Sequence, residues 1–545
     1  MLALGISGMV FGIFKRKISF SLPVCSIDYL YGTVIFFSLA LSLYGILQYS
    51  GLVSSGNNNF AIIGTFDNPA GYAAALSCAF PLCLFFVNHQ KKYLRYTAKS
   101  VIAVMAVAVI LSGSRAGMLA ITIATVVWLL IKSKIDLKKK SKIALAVVII
   151  VLTVVSYFFK KDSADGRLLI WRCTLDMVAD KPILGHGHGA FQAKYMLYQA
   201  AYLNANPNSR YAPLADNVLR PFNEYLLILA EHGIVGLSVL ILSAYLLLRA
   251  YRRKRSDEKL AALMSLLALS VFSFFSYPFR YPFTLMMLFL NMTIIIKNQK
   301  PLTSKVTKDL HQEHKRFISH ICALGDCFVY FVVKKYTLTR IVVFLLSAGL
   351  LSYTVMLTRA EIKWNRIAQL SLAGHTVRVL PEYDKLYRWL GNDGLFLYNH
   401  AAELNEAKEY ERSITAFEIC TRHYNDMDVQ MLMADNYKTL GKYAEAERHF
   451  KMAAAMCPVR FMPLYELVKL YDTTNQKDEA LAMAKIIIEK DVKIPSPTIA
   501  AIKNEMQRLI EAQEINRVKE DLTDEPVFEK TRQGETPEQG EALPP

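Results

Sequence analysis

The stretch VIAVMAVAVILSGSRAGMLAITIATVVWLL, residues 101–130, is two apolar runs joined by one short polar turn. A helix that crosses the roughly 30 Å hydrocarbon core of a bilayer needs about 20 mostly apolar residues. The runs near 99–113 and 116–131 therefore predict two membrane helices connected by a turn that carries Arg115. Working outward, similar blocks lie near 29–48, 69–87, 143–159, 223–250, 260–277, 281–296 and 339–357, some of them short. Residues 1–14 are also apolar and run into Lys15, Arg16 and Lys17. No positive segment precedes them, so they read as the remnant of a first helix rather than a signal sequence. The total is about ten transmembrane helices. Composition agrees: the 545 residues are 53% hydrophobic with a mean hydropathy of +0.25, and the apolar residues come in uninterrupted blocks.

The formal net charge is +17, which by itself suits nucleic acid. Its placement points to a membrane instead. Basic residues gather in alternate loops: Lys15–Lys17, then Lys91 to Lys99, Lys132 to Lys142, Arg252 to Arg255, and the 297–340 stretch. The loop at 50–67 is poor in Lys and Arg. This is the positive-inside pattern, and it puts the basic loops in the cytoplasm, where they also favour anionic headgroups. Residues 50–67, 112–116, 159–222, 276–282 and everything after about 358 are then outside.

The chain divides accordingly. Residues 1–297 are a membrane core with one large outer loop at 159–222. Residues 298–338 are a basic cytoplasmic linker containing His311, His314 and His320, and its apolar part from Phe328 to Val333 suits a surface-lying amphipathic helix. Residues 339–357 are the last transmembrane helix, 358–518 a helical domain, and 519–545 a polar tail whose composition predicts disorder.

The helical domain repeats. Ala434, Tyr437, Gly441, Tyr443, Ala446, Phe450, Ala453 and Pro458 form a central unit. Ala401, Leu404, Lys408, Tyr410, Ser413, Phe417 and Cys420 precede it in register. Val468, Tyr471, Asn475, Lys477, Ala480, Ala484 and Ile487 follow. The anchor spacings are 33 and 34. The pattern resembles tetratricopeptide repeats, helix–turn–helix units of about 34 residues with small residues where helices meet. Residues 361–393 suit a degenerate capping repeat. The expected fold is thus all-α: a polytopic membrane bundle followed by an α-solenoid whose groove suits a protein partner, the alternative being a plain spacer.

Eight cysteines are scattered with no CxxC and no zinc-type spacing, so neither a disulfide framework nor a structural metal is expected. Asp426-Met-Asp428 falls between repeat units and reads as a solvated turn rather than a metal-binding DxD. The glycines of Gly185 to Gly189 follow no strand, and there is no Walker loop, so neither a dinucleotide nor ATP is expected. No cofactor is expected.

The chemistry-bearing residues lie at the outer boundary. An arginine is costly within a membrane, about 2.5–3.5 kcal/mol at its centre on insertion scales, so Arg115 either faces a polar cavity or snorkels to headgroups. Arg280, in Ser-Tyr-Pro-Phe-Arg-Tyr-Pro-Phe, has the same two readings. Taken together, Gly64-Thr-Phe-Asp-Asn-Pro69, Ser114-Arg115-Ala116, Gly166-Arg167 with Trp171, Pro182 to Gly185 through Phe191, and Asn223 with Tyr225, Leu226, Glu231, Gly233 and Gly236 resemble the O-antigen ligase and polymerase superfamily. Order, spacing and membrane context carry the resemblance across roughly the first 300 residues. It implies transfer of a glycan from a polyprenyl diphosphate carrier, at the periplasmic face of a bacterial inner membrane, to a lipopolysaccharide core, a protein hydroxyl or another growing glycan. Arg115 and Arg167 match the family's diphosphate-binding arginines, and Arg220 is a third candidate by position. Guanidinium groups suit this task because they give phosphate oxygens paired hydrogen bonds and stabilise charge building on the leaving group.

The ligases of this superfamily usually carry a histidine just before the Asn that matches Asn223. Here that residue is Phe222. Glu224 is the candidate base in its place, a role that requires burial to raise its pKa; the alternative is a favourable position on a helix dipole. His186 and His188, in a glycine-rich turn, are weaker candidates, and His232 suits packing. The segment 192–220, with Asn204, Asn206, Pro207 and Asn208, reads as a loop able to move over a substrate. Three functions follow: a metal-independent ligase or protein O-glycosyltransferase, a polymerase of lipid-linked repeat units, and a non-catalytic scaffold that docks partners through its repeats.

Overall fold

The computed structural model describes residues 27–57, 59–132, 161–297 and 337–523, and within these it is all-α. Residues 1–14, the block at 143–159, the linker up to residue 336 and the tail beyond Thr523 lie outside the described residues. In the membrane core α1 (Ile27–Tyr49), α2 (Pro69–Phe86), α3 (Lys92–Leu111) and α4 (Arg115–Lys132) come first. The outer region follows with α5 (Lys161–Asp180) and α6 (Ala190–Ala205). Then α7 (Glu224–Arg253), α8 (Asp257–Ser273) and α9 (Pro282–Ile296) return to the core.

Five described helices, α1 to α4 and α7, are long and apolar enough to cross a membrane. The expected ten are not reached among the described residues. Two blocks lie outside them, and α8 and α9 have only 17 and 15 residues. The block at 339–357 is part of one 34-residue helix, α10 (Thr337–Leu370), which runs well past the expected end of the span.

Helix α2 is the axis of the core. Residues Gly71 to Leu84 are buried along its whole circumference, and α1, α3, α4 and α8 pack around it. Ala73, Ala74, Ala75 and Ala79 permit this close approach, since small side chains let helix backbones come together where apolar solvent gives no hydrophobic drive. Polar side chains inside pair with one another and with the backbone, as a hydrocarbon medium favours: Ser265 donates to the Cys78 carbonyl and the Asn291 amide donates to Ser265 at 2.8 Å. At the basic end, Lys132 pairs with Asp257 at 2.6 Å and Lys259 donates to the carbonyls of Ile295 and Lys297.

The remaining helices are α11 (Thr376–Leu390), α12 (Gly394–Glu406), α13 (Tyr410–Cys420), α14 (Met427–Thr439), α15 (Tyr443–Met456), α16 (Met462–Thr473), α17 (Lys477–Glu489) and α18 (Pro497–Thr523). Residues 361–393 are the end of α10 followed by α11. Helix α18 continues to Thr523, past the boundary expected at 519. From α12 to α17 the helices form three successive hairpins. Each turn has one residue with left-handed backbone at the same register: Lys408 (φ 63°), Gly441 (φ 73°) and Asn475 (φ 59°). The anchors Ala401, Ala434 and Val468 are buried, as are Phe417 and Phe450 on the second helices.

These hairpins dock on the outer helices. Leu169, Cys173, Met177, Phe191, Tyr195 and Met196 from α5 and α6 share an apolar cluster with Met427, Ala453, Met456 and Cys457. Gln199 donates to the Met456 carbonyl at 2.7 Å, the Asn425 amide donates to the Gln192 carbonyl at 3.1 Å, and Arg460 clasps Asp216 through both carboxylate oxygens at 2.7 and 2.8 Å. The segment read as a mobile loop over 192–220 is therefore helical to Ala205, and beyond it is tied to the hairpins. The solvated-turn reading of Asp426-Met-Asp428 is likewise corrected. Asp426 is buried, caps α14 through the Val429 amide and accepts from Tyr424, while Asp428 accepts from Asn217 at 3.0 Å. Burial between docked elements, absent from the local sequence pattern, is the reason.

Candidate functional site at the outer boundary

The start of α7 sets the geometry. Asn223 is its N-cap, its Oδ1 accepting from the amides of Tyr225 at 3.0 Å and Leu226 at 3.1 Å. Glu224 is buried, and its Oε1 accepts from the Phe279 amide in the outer turn before α9 at 3.3 Å. Arg220 lies close enough for its charge to act on Glu224. Between them Phe222 has φ of 54°, the left-handed region that a bulky residue rarely adopts. The strain is held from both sides: Trp171 donates to the Pro221 carbonyl at 2.9 Å, and the Phe222 ring packs at 5.3 Å from that of Tyr277.

Arg167, on α5, reaches into this corner. Its Nη1 donates to the Phe275 carbonyl at 2.9 Å, and its guanidinium lies 5.2 Å from the centre of the Phe222 ring. Burial, and after it the nearby Arg115 charge, push the Arg167 pKa down to about 10. At neutral pH it therefore stays protonated, although the site disfavours its charge. Arg115 is half-buried at the first position of α4. Two cations held near each other in partly dry surroundings form a site that gains from an anion. Phe222 does not take a histidine's place as a base. It supplies an aromatic face to Arg167.

Arg280 is paired with Asp67 at 3.2 Å and is largely exposed. Sequence reasoning missed the residues that hold this edge together. Asn68 caps α2, accepting from Ala70 at 2.8 Å and Gly71 at 3.1 Å. It also accepts from Tyr281 at 3.1 Å and donates to Tyr277 at 3.3 Å. The available signal was Asn followed by Pro69, an N-cap followed by proline at the first helical position.

A second construction explains the glycines. Helix α7 breaks at Gly233 (φ 61°), and the 181–189 turn fits into the break. The amides of His186 and Gly187 donate to the Ala230 and Glu231 carbonyls, both at 2.9 Å. In return the amides of Ile234 and Val235 donate to the carbonyls of Pro182 at 2.8 Å and Ile183 at 3.3 Å. Every backbone group freed by the break thus has a partner in the turn. A Cβ on Gly233 would sit 2.2 Å from the Ile183 oxygen, and one on Gly185 2.4 Å from the Glu231 carbonyl carbon.

The histidines separate. His186 is engaged through Nε2 with the Met177 carbonyl at 2.8 Å. His188, a weaker candidate base in the sequence, and His232, assigned there to packing, converge on Glu231: His188 Nδ1 is 3.5 Å and His232 Nε2 is 4.0 Å from its Oε2. The five described cysteines, Cys78, Cys83, Cys173, Cys420 and Cys457, are free and buried.

No curated protein matches the chain. Residues 100–241, which carry Arg115, Arg167, the 181–189 turn, Arg220 to Glu224 and the break in α7, match the family model of the O-antigen ligase, a similarity that points to a membrane glycosyl-transfer or ligation role.

Proposed function

We propose that the chain transfers a glycan from a polyprenyl diphosphate carrier to an acceptor hydroxyl at the periplasmic face of the inner membrane. The observation that carries this reading is the pairing of Arg167 and Arg115, two charges kept close in a partly desolvated corner beside the start of α7. A pyrophosphate leaving group is an anion that two such guanidinium groups suit. In the transfer step the acceptor oxygen bonds to the anomeric carbon as the bond from that carbon to the diphosphate oxygen breaks. The electron pair leaves with the polyprenyl diphosphate, where Arg167, Arg115 and Arg220 stabilise it. The acceptor's proton passes to Glu224, whose Oε2 has no protein donor among the described residues while Oε1 is held by Phe279. Arg280, tied to Asp67, steadies the outer turn and contacts the diphosphate from its rim.

The acceptor is a lipopolysaccharide core or a protein hydroxyl. The hairpins, which resemble tetratricopeptide repeats, rest on α5 and α6, a position suited to presenting a protein partner. The test is complementation of a deletion strain with Arg167→Ala, Arg115→Ala and Glu224→Gln, each checked for folded protein in the membrane. The expected result is full-length glycan accumulating on the carrier and disappearing from its acceptor. Folded variants with unchanged transfer would remove the catalytic reading and leave the scaffold one. Acceptors carrying single repeat units would identify a polymerase.

A further inference from the structure

We infer that His188, Glu231 and His232 form a binding site for a divalent transition-metal ion of the zinc class, at the seam between the 181–189 turn and the break in α7. Each residue offers one ligand atom, and the three atoms lie within 4.8 Å of one another. Around tetrahedral zinc, with ligands at roughly 2.0–2.1 Å, neighbouring ligand atoms are about 3.3 Å apart. The two contacts to Glu231, at 3.5 and 4.0 Å, are near that value before any adjustment. The imidazoles stack with an interplanar angle of 10° and a centroid separation of 5.9 Å, so both rings stand on one side of the carboxylate.

Glu231 gives the cluster its direction. It is 7% exposed, and the two imidazoles are its ion-pair partners among the described residues, at 3.5 and 4.0 Å. A largely buried carboxylate carries a desolvation cost, and a cation between it and the two rings offsets that cost. Two imidazoles and one carboxylate are a borderline nitrogen and oxygen set, suited to zinc rather than to magnesium or calcium. The side chain of His188 is 91% exposed, which leaves an entry path and freedom to close on the ion. The backbone fixes the rest, because the Gly187 amide holds the Glu231 carbonyl and Gly185 lies against the Glu231 backbone. A bound ion therefore links the turn after α5 to the break in α7 by side chains as well as by backbone. The inference is independent of the transferase reading.

The experiment uses the full chain in detergent micelles, with any affinity tag removed, and zinc titrated against a chromogenic chelator. One zinc per chain is expected. His188→Ala and His232→Ala should each weaken binding by at least about tenfold, at least the loss that follows from removing a partner of a metal ligand. His186→Ala should bind as the native chain does, because its ring is committed to the Met177 carbonyl. His188→Gln, at an exposed position, guards against misfolding as the cause. Absence of stoichiometric zinc in the native chain overturns the inference. So does binding that survives both His188→Ala and His232→Ala.

Discussion

Replacing Gly233 with alanine should separate the 181–189 turn from α7. Two effects act at once. The residue sits at φ of 61°, and left-handed backbone costs a residue with a Cβ about 1–2 kcal/mol. The new Cβ would also lie 2.2 Å from the Ile183 oxygen and 2.4 Å from its carbonyl carbon, both backbone atoms that cannot rotate away. Relief requires the turn to withdraw, and withdrawal breaks four backbone hydrogen bonds, to Ala230, Glu231, Pro182 and Ile183. At about 1 kcal/mol net each, the loss from this local unit is about 4 kcal/mol beyond the backbone strain. Gly187→Ala is the control. It has φ of 101° and nothing within 4 Å of its Cβ, so only backbone strain applies. Amide hydrogen exchange reads the difference directly. Four kcal/mol is about three orders of magnitude in local opening, so His186, Gly187, Ile234 and Val235 should exchange roughly a thousandfold faster in Gly233→Ala. Gly187→Ala should leave Ile234 and Val235 within about tenfold of the native chain. Native protection of Ile234 in Gly233→Ala would show that the break does not depend on this contact, and the argument for the glycine would fail.

Gly441→Ala meets open space, so it should lower the stability of the hairpin region by only the cost of left-handed backbone, about 1 kcal/mol, and Lys408→Gly at the equivalent turn should raise it by a similar amount; both are read by denaturant unfolding. Arg460→Ala should weaken docking of the hairpins on α5 and α6 by up to about 1 kcal/mol, since the pair with Asp216 is half-exposed, and a double-mutant cycle with Asp216→Ala measures the coupling. His449 is stacked on Tyr437, and burial pushes its pKa from 6.5 down to about 4. The neutral ring is what the fold accommodates, so its stability contribution is complete above about pH 6.5 and is lost as pH falls toward 4. With solvent screening of a partly exposed ring the loss is about 2 kcal/mol, and His449→Gln should flatten the pH dependence of unfolding across that window.

The five candidate membrane helices were legible because each is a contiguous apolar run, which composition alone reveals. The hairpins were legible for a related reason. Their anchors recur at 33 and 34 residues, and the left-handed residue of each turn recurs with them. Arg115 stood out by its place between two apolar runs, and Arg167 entered through the resemblance. Nothing in local periodicity brings the Arg115 charge near Arg167, because the two residues are 52 positions apart in the chain. The same limit applies to Asp426 and Asp428. Read alone they look like a turn between repeats, and only docking on α6 and the segment after it buries Asp426 and brings Asn217 to Asp428. Glu231 entered only as one position of the resemblance. Its neighbour His232 was assigned to packing because an unbroken helix would have carried both residues onward into the bundle. The break at Gly233 instead leaves them at the seam with the turn.

That break also accounts for where the site stands. From Ile234 to Arg253 is about 20 residues, and a helix of that length rises about 30 Å, the thickness of a hydrocarbon core. Ile234, Val235, Val239, Ile241, Leu242, Tyr245 and Leu246 are exposed on it, as expected of a surface covered by lipid. The first turns of α7, from Glu224 to His232, are therefore a separate piece before the part long enough to cross a membrane. Here the freed backbone groups are answered by the 181–189 turn, and Glu224 is held by the outer turn at Phe279. A charged reaction beside a bilayer needs polar groups fixed in place without leaving backbone unsatisfied in lipid. A helix that breaks at the boundary and is repaired by a glycine-rich turn meets both demands. Gly185 and Gly233 hold this arrangement by close backbone approach alone, although neither contributes a side chain.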